Sequence, residues 1–163
     1  MNKGYLLIGG NVGDRQASLE GARTNIGLGA GKIVHASSIW QTAAWGKTDQ
    51  APFLNQALSI ITPLDAPALM AVLLEIEEKM GRIRNERYGP RIIDIDILFY
   101  EDLVIDLPQL KVPHPEIQRR RFALAPLAEI APDLIHPVLK RSIRDLLAEC
   151  TDPGDVKKIP LII

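Results

Sequence analysis

The chain has 163 residues, 47% of them hydrophobic, and its 19 Lys and Arg nearly balance 20 Asp and Glu for a formal net charge of -1. That length fits a single domain spanning residues 1–163, and the charge balance argues against a nucleic-acid coat or an anionic membrane as partner. No apolar run approaches the roughly 20 residues needed to cross a bilayer, the start lacks a signal-peptide pattern, and one cysteine, Cys150, excludes an internal disulfide framework, so the expected setting is the cytoplasm.

Tyr5 to Ile8 reads as a short buried strand closed by Gly9-Gly10-Asn11. Asp14 is placed to cap a helix whose apolar stripe is Leu19, Ala22 and Ile26, ended by a run of glycines. Ile33 to Ile39 reads as a second strand. Thr42 to Pro52 has loop chemistry, and Phe53 to Ile61 is a third strand. Asp65 can cap a second helix, because Leu69, Val72, Leu73, Ile76 and Met80 recur at the spacing of one buried stripe; Gly81 stops it. An arginine-rich loop then leads to a fourth strand, Ile92 to Tyr100. The remainder is punctuated by prolines and leaves room only for short helices, with Ser142 to Ala148 the best of them.

Strand, helix, strand, strand, helix, strand is the ferredoxin-like βαββαβ order. The expected class is α+β: an antiparallel sheet with helices on one face and a C-terminal extension packed around it. That topology hosts enzymes, RNA-binding modules and regulatory domains alike, so function has to come from the side chains.

The net charge conceals a segregation. Seven of the eleven arginines lie between Arg82 and Arg121, four of them (Arg82, Arg84, Arg87 and Arg91) just ahead of Asp94. On the fourth strand Ile93, Ile95, Ile97 and Phe99 are expected to share the core face, and Asp94 and Asp96 the other, about 6.6–6.8 Å apart along the strand. Aspartate suits strands poorly, and two carboxylates on one face repel unless a cation lies between them. Oxygen ligands without histidine or thiolate neighbours favour Mg²⁺, which takes one or two carboxylates together with substrate phosphates. Guanidinium forks supply the complementary contacts to phosphate oxygens. The residues by themselves therefore point to metal-assisted phosphoryl chemistry.

The segment Arg87-Tyr88-Gly89-Pro90-Arg91-Ile92-Ile93-Asp94-Ile95-Asp96-Ile97-Leu98 resembles the signature of the 6-hydroxymethyl-7,8-dihydropterin pyrophosphokinases. Ile8-Gly9-Gly10-Asn11, Phe53-Leu54-Asn55-Gln56-Ala57, Val112-Pro113-His114-Pro115 and Arg120-Arg121-Phe122 are similar to that family in the same order, so the likeness covers nearly the whole chain. It implies an ATP-dependent diphosphotransferase of folate (tetrahydrofolate) biosynthesis that passes the β,γ-pyrophosphoryl unit to the pterin hydroxymethyl group and releases AMP. It further implies that Asp94 and Asp96 bind two Mg²⁺ ions and that Arg82 and Arg91 act as catalytic arginines on the pyrophosphate. Glu77, Arg84, Arg91, Ile97, His114 and Arg120 would bind ATP. Thr42, Ala43, Trp45, Phe53, Asn55, Tyr88, Asp94 and Phe122 would surround the pterin, with Phe122 stacked on its ring. Leu74, Gln109 and Lys111 depart from residue types that touch the nucleotide in such proteins. The loops Thr42–Pro52 and Gly81–Pro90, with Gly46, Gly81 and Gly89 as hinges, would close over both substrates and exclude water.

Small-molecule substrates and a monomer are expected, with no nucleic acid and no membrane. The competing reading is a non-catalytic ferredoxin-like module that binds RNA or a small ligand. It would need aromatic residues and positive charge on the central strands, where this chain places Asp94 and Asp96.

Overall fold

The computed structural model describes residues 1–42, 51–81 and 92–159. Strand β1 (Asn2–Gly10) is buried from Gly4 onward because it lies between two neighbours. It pairs antiparallel with β4 (Phe53–Thr62) on one side and with β5 (Asp94–Tyr100) on the other. The stretch expected as one second strand is two, β2 (Lys32–Ala36) and β3 (Ile39–Thr42), and both pair with β4. The break falls at Ser37-Ser38, where the Ser37 hydroxyl accepts from the Ala57 N–H and takes over a ladder position. Strand β8 (Val156–Ile159) adds to the outer edge of β3, giving the order β5-β1-β4-β3-β8. A small hairpin, β6 (Ile105–Leu107) and β7 (Leu110–Val112), stands apart from the main sheet.

Helices α1 (Arg15–Gly29) and α2 (Ala66–Lys79) cover one face. Each starts where an aspartate accepts a backbone N–H: Asp14 from Ala17 at 3.1 Å, Asp65 from Ala68 at 2.9 Å. Gly81 follows α2 with φ +94°, a conformation that costs glycine nothing. The stripes meet Leu6, Ile8, Leu54, Leu58, Ile60, Ile95 and Ile97 in the larger core. Each fully buried leucine here, such as Leu73, contributes roughly 1.5–3 kcal/mol relative to exposure.

The α+β architecture agrees with expectation, and the C-terminal extension adds something to it. Helices α3 (Arg121–Ile130) and α4 (Ile143–Glu149) pack on the opposite face, against Tyr5, Leu7, Ala57, Leu98 and Phe99. α3 is longer than the prolines suggest: it runs through Pro126, burying Ala123, Leu124 and Leu127. Phe99 is a correction to the strand alternation. Between Tyr5 and Leu6 the β1–β5 register shifts, so that Leu6 faces Ile97 while Tyr5 faces Phe99. One residue is gained on β5, and Phe99 turns to the α3 face. There its ring meets the edges of Tyr5 at 6.5 Å and His136 at 5.6 Å.

Candidate active site

Strand register puts the site together. Asp94 pairs with Gly9, Gly9 with Asn55, Asn55 with Trp40, and Trp40 with Lys158. Paired residues point to the same face, so this row crosses five of the six strands of the sheet on the face away from α1 and α2. α3 and α4 cover the adjoining positions Tyr5, Leu7 and Ala57, and leave the Asp94–Gly9–Asn55 end to the site. Asp96 lies on the same face of β5, opposite Leu7, and Thr42 pairs with Phe53 one row beyond Asn55. Asp94, Asp96 and Phe53 are half-buried; Asn55 and Thr42 are buried.

Gly9, read from the sequence only as the end of a strand, is a position where no side chain fits. A β-carbon there would lie 2.1 Å from Asn55 Oδ1 and 3.0 Å from the Leu54 carbonyl. Glycine is what allows the Asn55 carboxamide to lie across β1 toward Asp94. The signal was present in Ile8-Gly9-Gly10-Asn11, but only the register between strands reveals what the missing side chain makes room for.

α3 brings the rest. Near its C-terminal end the Glu129 carboxylate accepts from the Ser38 N–H (2.9 Å), the Ser38 hydroxyl (2.8 Å) and the Trp40 indole (3.0 Å). Burial alone would raise the Glu129 pKa, but these donors and the Lys158 charge hold it below the ordinary value. The helix therefore runs along β3 with its first turn, which carries Phe122, toward the Thr42 end. The Arg120 guanidinium lies 5.6 Å from the centre of the Phe122 ring, within cation–π range. His114 follows the cis Val112–Pro113 bond, and its backbone N–H donates to the Leu98 carbonyl at the edge of β5. Burial first, and then the Arg120 charge, push its pKa down to about 4. At neutral pH the ring is uncharged. Its Nδ1 accepts from the Glu116 N–H at 3.2 Å, so the proton sits on Nε2, which can donate.

Two residues expected at the nucleotide are buried. Glu77 is 1% exposed. Its Oε2 accepts the Ile95 N–H at 2.7 Å, on the open edge of β5 and between the two aspartates. Ile97 points into the core beneath α1 and α2, 3% exposed, on the face opposite Asp94 and Asp96. Lys111 pairs with Asp106 across the β6–β7 hairpin. Ala43, Trp45, Arg82, Arg84, Tyr88 and Arg91, with residues 43–50 and 82–90 of the loops expected to close and the expected hinges Gly46 and Gly89, lie outside the described residues.

Among the described residues no three His, Cys, Asp or Glu side chains cluster as a metal cage. A pair of carboxylates on one strand face is instead the donor set of a cation that completes its shell with water and substrate oxygens, and this fits Mg²⁺. No helix among the described residues is long and apolar enough to cross a membrane.

Comparison with known proteins gives the following likenesses. The profile of the 7,8-dihydro-6-hydroxymethylpterin-pyrophosphokinase family matches residues 5–132. A 2-amino-4-hydroxy-6-hydroxymethyldihydropteridine pyrophosphokinase of Methylorubrum extorquens is 41% identical over 160 residues, covering 98% of this chain and 99% of that one. The Bacillus subtilis protein of the same name is 42% identical over 130 residues, 79% of this chain and 78% of its own. A Plasmodium falciparum HPPK-DHPS crystal structure with pteroate superposes with a TM-score of 0.74 at 19% identity. It matches 91% of this chain, which spans 42% of that longer one, and the likeness speaks to the fold alone.

Proposed function

This chain belongs to the 7,8-dihydro-6-hydroxymethylpterin-pyrophosphokinase family, and from that premise we propose how its residues divide the work. The reaction is ATP-dependent pyrophosphoryl transfer to hydroxymethyldihydropterin in folate biosynthesis. The finer assignment rests on one observation: Asp94, Gly9 and Asn55 stand side by side on three neighbouring strands, on the sheet face away from α1 and α2.

The pterin lies over Gly9. The Asn55 carboxamide, a donor and an acceptor on one group, reads its polar edge, and Phe122 stacks on its face. Thr42 and Phe53 close the far side. Asp94 and Asp96 would hold Mg²⁺, which would neutralise charge on the triphosphate and polarise it toward attack. Arg120 binds the nucleotide phosphates as a cation and His114 as a neutral Nε2–H donor. The pterin hydroxyl oxygen forms a bond to the β-phosphorus and gives up its proton to solvent, the bond from that phosphorus to the α,β-bridging oxygen breaks, and AMP leaves with that oxygen. Catalysis of this kind is mostly positioning and electrostatic preorganisation, which is what a site built on strands supplies. Arg82 and Arg91 complete the phosphate contacts in this reading, and Tyr88, Trp45 and Ala43 the pterin side. The enzyme works as a monomer in the cytoplasm.

The test is a mixture of protein, ATP, Mg²⁺ and 6-hydroxymethyl-7,8-dihydropterin assayed for nucleotide products. Pterin-dependent AMP is expected. ADP instead of AMP, or no turnover at any Mg²⁺ concentration, would reject the assignment.

A further inference from the structure

Residues 133–159 lie C-terminal to the residues matched by the family profile. Their last segment reaches the pterin side of the site. β8 pairs with β3 so that Val156 stands beside Thr42 and Lys158 beside Trp40, with the Lys158 ammonium 5.4 Å over the indole. Ahead of β8 the chain passes Thr42 closely: a β-carbon at Gly154 would sit 4.0 Å from Thr42 Oγ1. The turn there is fixed by Asp152, whose Oδ1 accepts the Gly154 N–H at 2.9 Å.

The same aspartate fastens the segment to α3. Its Oδ2 accepts the Arg121 N–H at 3.2 Å. The Arg121 guanidinium reaches back to the carbonyls of Asp152 and, at 2.7 Å, Cys150. Arg121 stands between Arg120 and Phe122, the two substrate residues of this turn, and is spent on the tail. Position 120 gives α3 no side-chain cap, so Asp152 takes that place from a distance of 31 residues. A carboxylate at a helix start is favoured both as an acceptor and by the helix dipole.

We propose that segment Cys150–Val156 is a working wall of the pterin pocket, with Arg121 and Asp152 as positioning residues that set Phe122 on α3 against Thr42 on β3. The two sides of the pocket come from elements with no covalent neighbourhood. α3 is held to β3 at one end by Glu129, and at the Thr42 end through the tail. Releasing that end lets the Phe122 turn move relative to the strand, which weakens stacking on the pterin more than charge contacts on the nucleotide.

This inference rests on the pterin assignment above, and the test separates the two. In the full-length protein, Arg121→Ala and Asp152→Asn are compared with wild type and with Lys157→Ala, an exposed control on the same strand. Pterin affinity is read from the fluorescence of the pterin itself, ATP affinity from KM, and folding from Tm. The Asp152→Asn variant keeps the shape of the side chain if Arg121→Ala fails to fold. Pterin affinity is expected to fall roughly tenfold, equivalent to about 1.4 kcal/mol, with ATP KM within about twofold and Lys157→Ala unchanged. Wild-type pterin affinity in folded Asp152→Asn, or equal losses toward both substrates, overturns the proposal. A wild-type protein that binds no pterin overturns the pterin assignment instead.

Discussion

Replacing Glu77 with alanine deletes the only described acceptor for the Ile95 N–H, at a position 1% exposed to water. A hydrogen bond to a charged acceptor is worth roughly 1.5–3 kcal/mol, and leaving the buried donor unpaired costs an amount in the same range. The vacated side-chain volume adds to the loss. A total of about 2–4 kcal/mol corresponds, for a chain of this size, to a fall in Tm of about 4–16 °C. Glu77→Gln keeps an oxygen where the N–H points and is expected to recover most of that loss.

The functional consequence is specific because Ile95 separates Asp94 from Asp96. β5 is the outer strand, and its free edge is held here by a helix side chain in place of another strand. Letting that edge relax changes the spacing of the two carboxylates, so Glu77→Ala should need roughly tenfold more Mg²⁺ for half-maximal AMP release, the equivalent of about 1.4 kcal/mol. Differential scanning fluorimetry and a Mg²⁺ titration of activity make the measurement. An alanine variant with wild-type Tm and Mg²⁺ dependence would refute the reasoning. Equal damage from glutamine and alanine would show that the charge matters and the accepted hydrogen bond does not.

Asp94→Asn and Asp96→Asn should each abolish AMP release while leaving Tm within about 3 °C, since a half-buried carboxylate on a strand face adds little to folding; substantial turnover in either variant would reject the metal site. Gly9→Ala forces a β-carbon to within 2.1 Å of Asn55 Oδ1 and 3.0 Å of a backbone carbonyl. The strand can yield only by about 1–3 kcal/mol of strain, so pterin affinity, read by fluorescence titration, is expected to drop more than the affinity for ATP; an unchanged pterin affinity would show that the glycine has no bearing on the amide. Protonation of His114 sets a pH dependence of stability. Its ring stays neutral in the native protein down to about 4, against an unfolded value near 6.5. The unfolded chain therefore binds the proton first, and stability falls as pH drops from about 6.5 to 4, by no more than about 3 kcal/mol. His114→Asn should flatten that part of a urea-denaturation series across pH, and an unaltered slope would contradict the burial argument.

What the sequence made legible is what depends on near neighbours. Asp14 and Asp65 cap the helices they precede, and the stripe through Leu69, Leu73 and Ile76 faces the core as its period requires. Alternation on β5 placed both aspartates on one face because only local pleating was needed. Phe99 failed for a reason lying on another strand: the shift opposite Tyr5 and Leu6 reverses its face, and no pattern within β5 encodes it. Glu77 was equally opaque. It lies at the edge of the apolar stripe, and only the packing of α2 against β5 shows that its carboxylate accepts the Ile95 N–H. Sequence signal for β8 was weak, since four residues with two lysines at their centre carry no strand alternation, and only β3 supplies the edge they pair with.

Resemblance and geometry carry different parts of the functional argument, and the row across the sheet joins them. A family signature can point to Asp94 and to Asn55, 39 positions apart in the chain, yet cannot say that both flank one glycine. Once they do, the chemistry is constrained. A hard cation held at Asp94 would lie one strand from Gly9 and two from the Asn55 amide, about 4.8 Å and 10 Å at ordinary strand spacing. That separation suits a ring bound over β1 whose hydroxymethyl arm reaches toward metal-held phosphates. An RNA-binding surface built on the same strands would place a negative pair, Asp94 and Asp96, where phosphates must come. The register therefore opposes the binding-module reading independently of the family match, because it fixes which residues meet and not merely which residues are present.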